Sequence, residues 1–159
     1  MPIHLPEMAR CYFCEIIGGA ADRWNVIEQD DLTLTLLNGR QFEVGQCIVV
    51  PIRHAPTLLD LRADEASAVV IAAQRAARAL VDAFDPDGVL LYQNNGVGSG
   101  QEVPHFHLHV VPRRKGSDWG FGPPHLARLE RRPHLDHAAI TDVKRDTAAI
   151  LRRHCEAAR

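Results

Sequence analysis

His105-Phe106-His107-Leu108-His109-Val110-Val111 sets three imidazoles at alternate positions with apolar residues between them. In an extended strand successive side chains leave on opposite faces, so the histidines share one side and Phe106, Leu108 and Val110 take the other. At about 3.3 Å of rise per residue, neighbouring rings in the row begin about 6.6 Å apart, close enough for one substrate or one ion to engage two of them. The spacing predicts a strand with a chemical face and a core face.

Working outward from that strand, Asn94-Asn95-Gly96-Val97-Gly98-Ser99-Gly100 reads as the loop that feeds it, and residues 89–93 as the preceding strand. Asp85-Pro86-Asp87-Gly88 ends a segment, residues 64–84, that holds no Gly or Pro. Within it Val69, Ala73, Ala76, Leu80 and Phe84 recur at three- and four-residue steps, and Asp64 stands as an N-cap. This predicts one long amphipathic helix. Further upstream, strands are expected at residues 25–28, 32–37 and 45–50, with Pro51 closing the third. In the second, Leu32, Leu34 and Leu36 alternate with Thr33 and Thr35 as in a half-buried antiparallel strand. Glu15-Ile16-Ile17 before Gly18-Gly19 reads as a short helical turn, and a last helix is expected over residues 141–155. The order β, β, β, long α, β, β predicts an α+β fold: a five-stranded antiparallel sheet with the helix on one face and the other face open to ligand.

The 159 residues, 46% apolar and 24% charged, fit a single domain over residues 1–159 with one continuous core. The N-terminus lacks a basic region followed by an apolar segment, and no stretch approaches the roughly 18 apolar residues of a membrane span, so a cytoplasmic protein with no membrane partner is expected. Net charge divides unevenly, −7 over residues 1–112 and +5 over residues 113–159. The basic excess is dispersed among Pro and His, which reads as solvated surface, with no specific nucleic-acid partner. Residues 116–136, rich in Pro, Gly and His and including Trp119, carry no periodicity; a stretch of that length reads as a functional or partner-binding arm, or as a poorly ordered one.

Of the four cysteines, Cys11 and Cys14 alone are patterned. A Cys-x-x-Cys pair with histidines elsewhere suggests zinc, with redox-active or idle thiols as the alternative, while Cys47 within an apolar run reads as a small buried hydrophobe. The histidine row can also be read as a metal-ligand arrangement in its own right. His4, His125, His134, His137 and His154 follow no pattern and read as surface residues.

The row His105-Phe106-His107-Leu108-His109-Val110-Val111 resembles the histidine-triad (HIT) motif, His-Φ-His-Φ-His-Φ-Φ with Φ apolar. The resemblance runs over about residues 11–113, through Cys11-x-x-Cys14, Val49-Val50-Pro51-Ile52-Arg53-His54, the long helix and residues 94–103, and leaves residues 114–159 as a C-terminal extension. It implies a homodimeric nucleotide hydrolase of the phosphoramidase-like branch. In that branch the middle histidine, here His107, is the nucleophile at an α-phosphate, and His109 is its hydrogen-bonding partner at the phosphate or leaving group. A neutral imidazole is chemically suited to both tasks. In zinc-containing members the metal set maps onto Cys11, Cys14, His54 and His105, a saturated Cys2His2 sphere that makes the zinc structural. The nucleotide-binding pattern maps onto Asn38 at the ribose, Leu36 and Leu37 beside the base, Asn94 at the phosphate, and Gln46, Gln101 and Val103 around the site. Purine nucleoside phosphoramidates and adenylate conjugates are the implied substrates. A dinucleoside polyphosphate hydrolase and a weakly active nucleotide-binding regulatory module are the alternatives. Two positions depart from the family pattern. Gln46 stands where histidine is usual and cannot carry a proton, and Glu102 stands where a small hydroxyl residue is common and repels a phosphate unless protonated or turned outward.

Overall fold

The computed structural model describes residues 3–21, 23–115 and 141–157. Residues 116–136, with Trp119, His125 and His134, and also His137, lie outside the described residues. Strands β1 (Val26–Gln29), β2 (Thr33–Leu37), β3 (Cys47–Pro51), β4 (Gly88–Tyr92) and β5 (Leu108–Arg113) form one sheet in the order β1-β2-β3-β5-β4, every pair antiparallel. Helix α1 (Tyr12–Ile17) precedes the sheet, α2 (Ala63–Phe84) joins β3 to β4, and α3 (Thr141–Ala157) follows the last strand. The α+β class and the five-stranded antiparallel sheet are as the sequence predicts.

Strand alternation separates two cores. On the helix side, Leu37, Cys47, Val49, Phe106 and Val110 pack against Val69, Ala73, Ala76 and Leu80 of α2 and against Ala148, Leu151 and Cys155 of α3. On the opposite side, Leu34, Leu36, Ile48 and Val50 are covered by Phe13 and Ile16 of α1. The expectation of a half-buried β2 with an open face is therefore corrected. All five residues of β2 are buried, because the turn that presents the cysteines folds over the face assumed to be free, while α2 lies against the other face. Small side chains at Ala72, Ala73, Ala76 and Ala79 let α2 lie close on the sheet.

The C-terminal extension contributes to this core. Leu151 is almost fully enclosed, and Arg152 reaches back to the carbonyls of Val26 (2.6 Å) and Trp24. Leu151→Ala is expected to cost about 3 kcal/mol, within the usual range for a buried leucine, read as a lowered urea midpoint at unchanged m-value. A cost below about 0.5 kcal/mol would show α3 to be a detachable appendage.

Two local readings change. The N-cap of α2 is Arg62, not Asp64, because Glu65 turns back and accepts the Arg62 N–H at 2.9 Å. The histidine strand also starts later than its pattern suggests: β5 begins at Leu108, and His105 to His107 precede it outside the ladder, with His105 in a bend. The chain bends there because the Phe106 N–H bonds to the Ala55 carbonyl (2.6 Å), and the His105 N–H to the Val103 carbonyl (2.8 Å), outside the sheet ladder.

Candidate active site and metal centre

Cys11 is the N-cap of α1 and Cys14 lies in its first turn, His54 sits on the turn after β3, and His105 on the chain entering β5. Their ligand atoms all lie within 4.8 Å of one another. Cys11 Sγ is 3.3 Å and Cys14 Sγ 3.6 Å from His105 Nδ1, and Cys14 Sγ is 3.3 Å from His54 Nδ1. A sulfur and a nitrogen sharing a tetrahedral zinc at about 2.3 Å and 2.0–2.1 Å stand about 3.6 Å apart, so the four residues fit that ion. The proton placement fits as well. His105 Nε2 lies 2.9 Å from the Pro51 carbonyl, which only accepts, so Nε2 carries the proton and Nδ1 presents its lone pair to the sulfurs.

Burial draws the His105 pKa down to about 4, against the Pro51 bond, so the ring is neutral at pH 7, the form that ligates a metal. Burial, reinforced by Cys11, pushes the Cys14 thiol up to about 11. Two thiolates side by side need a cation between them, and the donor set is one that divalent zinc satisfies.

A clamp that the sequence did not advertise holds the His54 turn. Arg53 makes two bonds to Glu65, Nε to Oε1 at 2.8 Å and Nη2 to Oε2 at 2.7 Å, and Nη2 also donates to the Asp60 carbonyl at 2.7 Å. Glu65 is 1% exposed, and Arg53 holds its carboxyl down at about 2, against the opposing effect of burial. A folded pKa below the ordinary 4.5 means that this stabilisation is complete above about pH 4.5 and fades as the pH falls toward 2. Glu65→Gln is thus expected to cost about 2 kcal/mol at pH 7, and the difference from wild type should shrink steadily in urea titrations between pH 4.5 and pH 2.5. A gap independent of pH would assign the loss to packing.

Next along the chain, Phe106 anchors in the helix-side core and the flanking histidines turn to the other face, next to Phe13 of α1. His107 is 7% exposed. Its Nδ1 lies 2.7 Å from the His105 carbonyl, so Nδ1 carries the proton and the Nε2 lone pair is left without a partner among the described residues. The His107 and His109 rings lie 5.1 Å apart, nearly perpendicular. Burial lowers both pKa values, with the His105 carbonyl and Glu102 opposing the shift at His107 and His107 adding to it at His109. Both rings are neutral at pH 7.

The remaining predicted residues are placed unevenly. Asn38 and Asn94 are half-buried; Asn38 Oδ1 accepts the Arg40 N–H (3.1 Å), and Asn94 Nδ2 donates to the Gly100 carbonyl (3.3 Å). Leu36 and Leu37 are enclosed in opposite cores, Leu36 beneath α1 and Leu37 beneath the long helix, and the structure does not bring them to one pocket wall. Gln101 is buried, accepting the Gly96 N–H (2.6 Å) and donating to the carbonyls of Pro56 (2.7 Å) and Val103 (2.9 Å), so it braces the loop before the triad. Gln46 is fully buried against His109 and Tyr92. Glu102 is turned outward and paired with Arg40 at 3.3 Å, which removes the unscreened repulsion its sequence position suggests. Tyr92, stacked on His109 with centroids 4.2 Å apart and planes 7° from parallel, and Phe13 carry no motif signal of their own. Only Phe13's place between the two cysteines could have pointed to it.

Comparison with known proteins adds three findings. A family model described as the HIT domain matches residues 22–116. The protein of Bacillus subtilis named "Protein hit" is 32% identical over 143 residues, 90% of this chain and 93% of its own, and an adenylylsulfatase of Arabidopsis thaliana is 31% identical over 105 residues, 66% of this chain and 53% of its own. Among solved structures, a zinc-bound histidine triad family protein from Mycobacterium smegmatis is similar with a TM-score of 0.73 at 30% identity, covering 92% of this chain and 93% of that one.

Proposed function

The chain belongs to the HIT-domain family, and from that premise we propose that it is a nucleotide hydrolase acting at the α-phosphate of purine nucleoside phosphoramidates or adenylate conjugates, with His107 as nucleophile. One observation carries the reading: the His105 carbonyl holds the proton of His107 on Nδ1, leaving a neutral ring whose Nε2 lone pair is uncommitted among the described residues, beside His109. The adenylylsulfatase relative supports the substrate class.

The reaction divides into two displacements. The Nε2 lone pair forms a bond to the α-phosphorus as the bond to the leaving nitrogen or oxygen breaks, its electron pair departing with the leaving group, which takes up a proton. Water then adds its oxygen to phosphorus, the P–N bond returns its pair to His107, and a nucleoside monophosphate is released. The net reaction consumes one water, one hydrogen leaving with each product. Catalysis rests on alignment and on neutralising the phosphoryl oxygens, for which His109 and the Val103 N–H, unbonded among the described residues, are suited. Asn38 serves the ribose hydroxyls and Asn94 the phosphate.

Cys11, Cys14, His54 and His105 would hold zinc, which supplies structural cross-linking and no open coordination position. A homodimer follows from the same reading. It is supported by β4, which ends the sheet among the described residues and leaves the apolar Leu91 51% exposed, and light scattering should give twice the 17.7 kDa chain mass.

The testing experiment offers adenosine phosphoramidate, an aminoacyl-adenylate and AppppA to the enzyme and quenches within one turnover. Mass spectrometry should find an added nucleotidyl group on the peptide spanning residues 105–109, localised to His107. Turnover without such an adduct, or an adduct elsewhere, removes the assignment.

A further inference from the structure

Gln46 has no exposed surface and follows Gly45, whose φ of +97° is one that side-chain-bearing residues rarely adopt and whose Cβ position lies only 3.0–3.1 Å from Phe84 and Leu80. Its amide is oriented by its neighbours. The Phe42 N–H donates to Oε1 at 2.9 Å, which turns the Nε2 amino group toward His109 Nδ1 at 3.2 Å and the Tyr92 hydroxyl oxygen at 3.4 Å. The reversed amide would set its NH2 against the Phe42 N–H, donor against donor. An amino group only donates, so His109 Nδ1 must be the lone-pair nitrogen, and in a neutral ring the proton then sits on Nε2. Burial keeps the ring neutral. Tyr92, stacked flat on the imidazole, opposes rotation of the ring out of this pairing.

From this geometry we infer that Gln46 is a positioning residue that locks His109 in the Nε2–H tautomer, making it a permanent hydrogen-bond donor to the phosphoryl oxygens or the leaving atom. Glutamine suits the task because it has no proton to gain or lose, so the tautomer does not depend on its charge state. The usual family histidine can do the same only while it presents an N–H. Gln46 itself touches no nucleotide; it acts through His109. The kinetic consequence rests on the function proposed above, whereas the tautomer does not.

The test uses the full chain labelled with nitrogen-15. Two-bond proton–nitrogen correlation should show His109 protonated on Nε2 alone at pH 7. In Gln46→Met the single form should give way to a mixture, with kcat falling about tenfold to a hundredfold while KM changes less than about threefold. Gln46→His, which restores an N–H donor, should bring back the Nε2–H form and most of the lost rate. A wild-type proton on Nδ1, an imidazolium at pH 7, or a Gln46→Met chain that keeps the pure Nε2–H form overturns the inference. Should Gln46→Met not fold, the wild-type spectrum alone decides the tautomer. A wild type that shows the tautomer yet turns over no substrate sinks the proposed function and leaves the tautomer standing.

Discussion

His107→Ala is expected to lower kcat by about 10^4 or more on any substrate that the wild type hydrolyses, with metal content and overall fold retained. The size follows from what the side chain does: it forms the bond to phosphorus in the first step, and no neighbour among the described residues can replace it. His109 is held with its Nδ1 lone pair against the Gln46 amide, and His105 faces the two cysteines, so neither ring offers a free nitrogen in line. Loss of a covalent nucleophile commonly removes all but the part of the acceleration that comes from binding and electrostatics. The variant should still bind AMP and, because the metal ligands are separate residues, carry the same zinc as wild type by elemental analysis. Activity within tenfold of wild type would show that water attacks phosphorus directly and that His107 has another role.

Removing the metal should have the second largest effect. Wild type is expected to hold one zinc per chain, and exhaustive chelation or Cys14→Ser to lower the melting temperature by about 10 °C or more. Structural zinc in isolated peptides is worth roughly 10–16 kcal/mol, comparable with the whole 5–15 kcal/mol stability of an ordinary domain. Part of that is spent here in bringing α1, the His54 turn and the His105 segment together, so a loss of about 4–5 kcal/mol is the conservative expectation. Activity should fall too. Phe13 lies between Cys11 and Cys14 in sequence and against both His105 and His107 in space, so releasing the cysteines frees the cover of the nucleophile. A metal-free preparation with unchanged melting temperature would show the four residues to be an idle cluster.

The elements were legible where their periodicity was long or their punctuation strong. Residues 64–84 carry about four turns of apolar spacing, from Val69 to Phe84, between a charged start and Asp85-Pro86, and α2 runs over Ala63–Phe84. The alternation of the histidine row predicted which side each residue would take, and it holds even where the ladder does not, because Phe106 is drawn into the helix-side core before β5 begins. The metal residues were visible as types and spacings. Whether they meet was not, since 40 residues separate Cys14 from His54 and 91 separate it from His105.

By itself the sequence determined the period of each element, their succession along the chain, and the separation of an imidazole face from an apolar one, because those depend on neighbours a few residues apart; the pairing of β3 with β5 joins positions about 60 residues apart and was left to the tertiary structure. Tertiary structure alone decided that both faces of β2 are covered, that Leu36 and Leu37 belong to opposite cores, that Arg53 closes on Glu65, and that Gln46 meets His109. Each of those depends on which polar group is left in reach once water has been excluded, and a buried donor or acceptor takes the partner that packing brings to it, however distant in the chain.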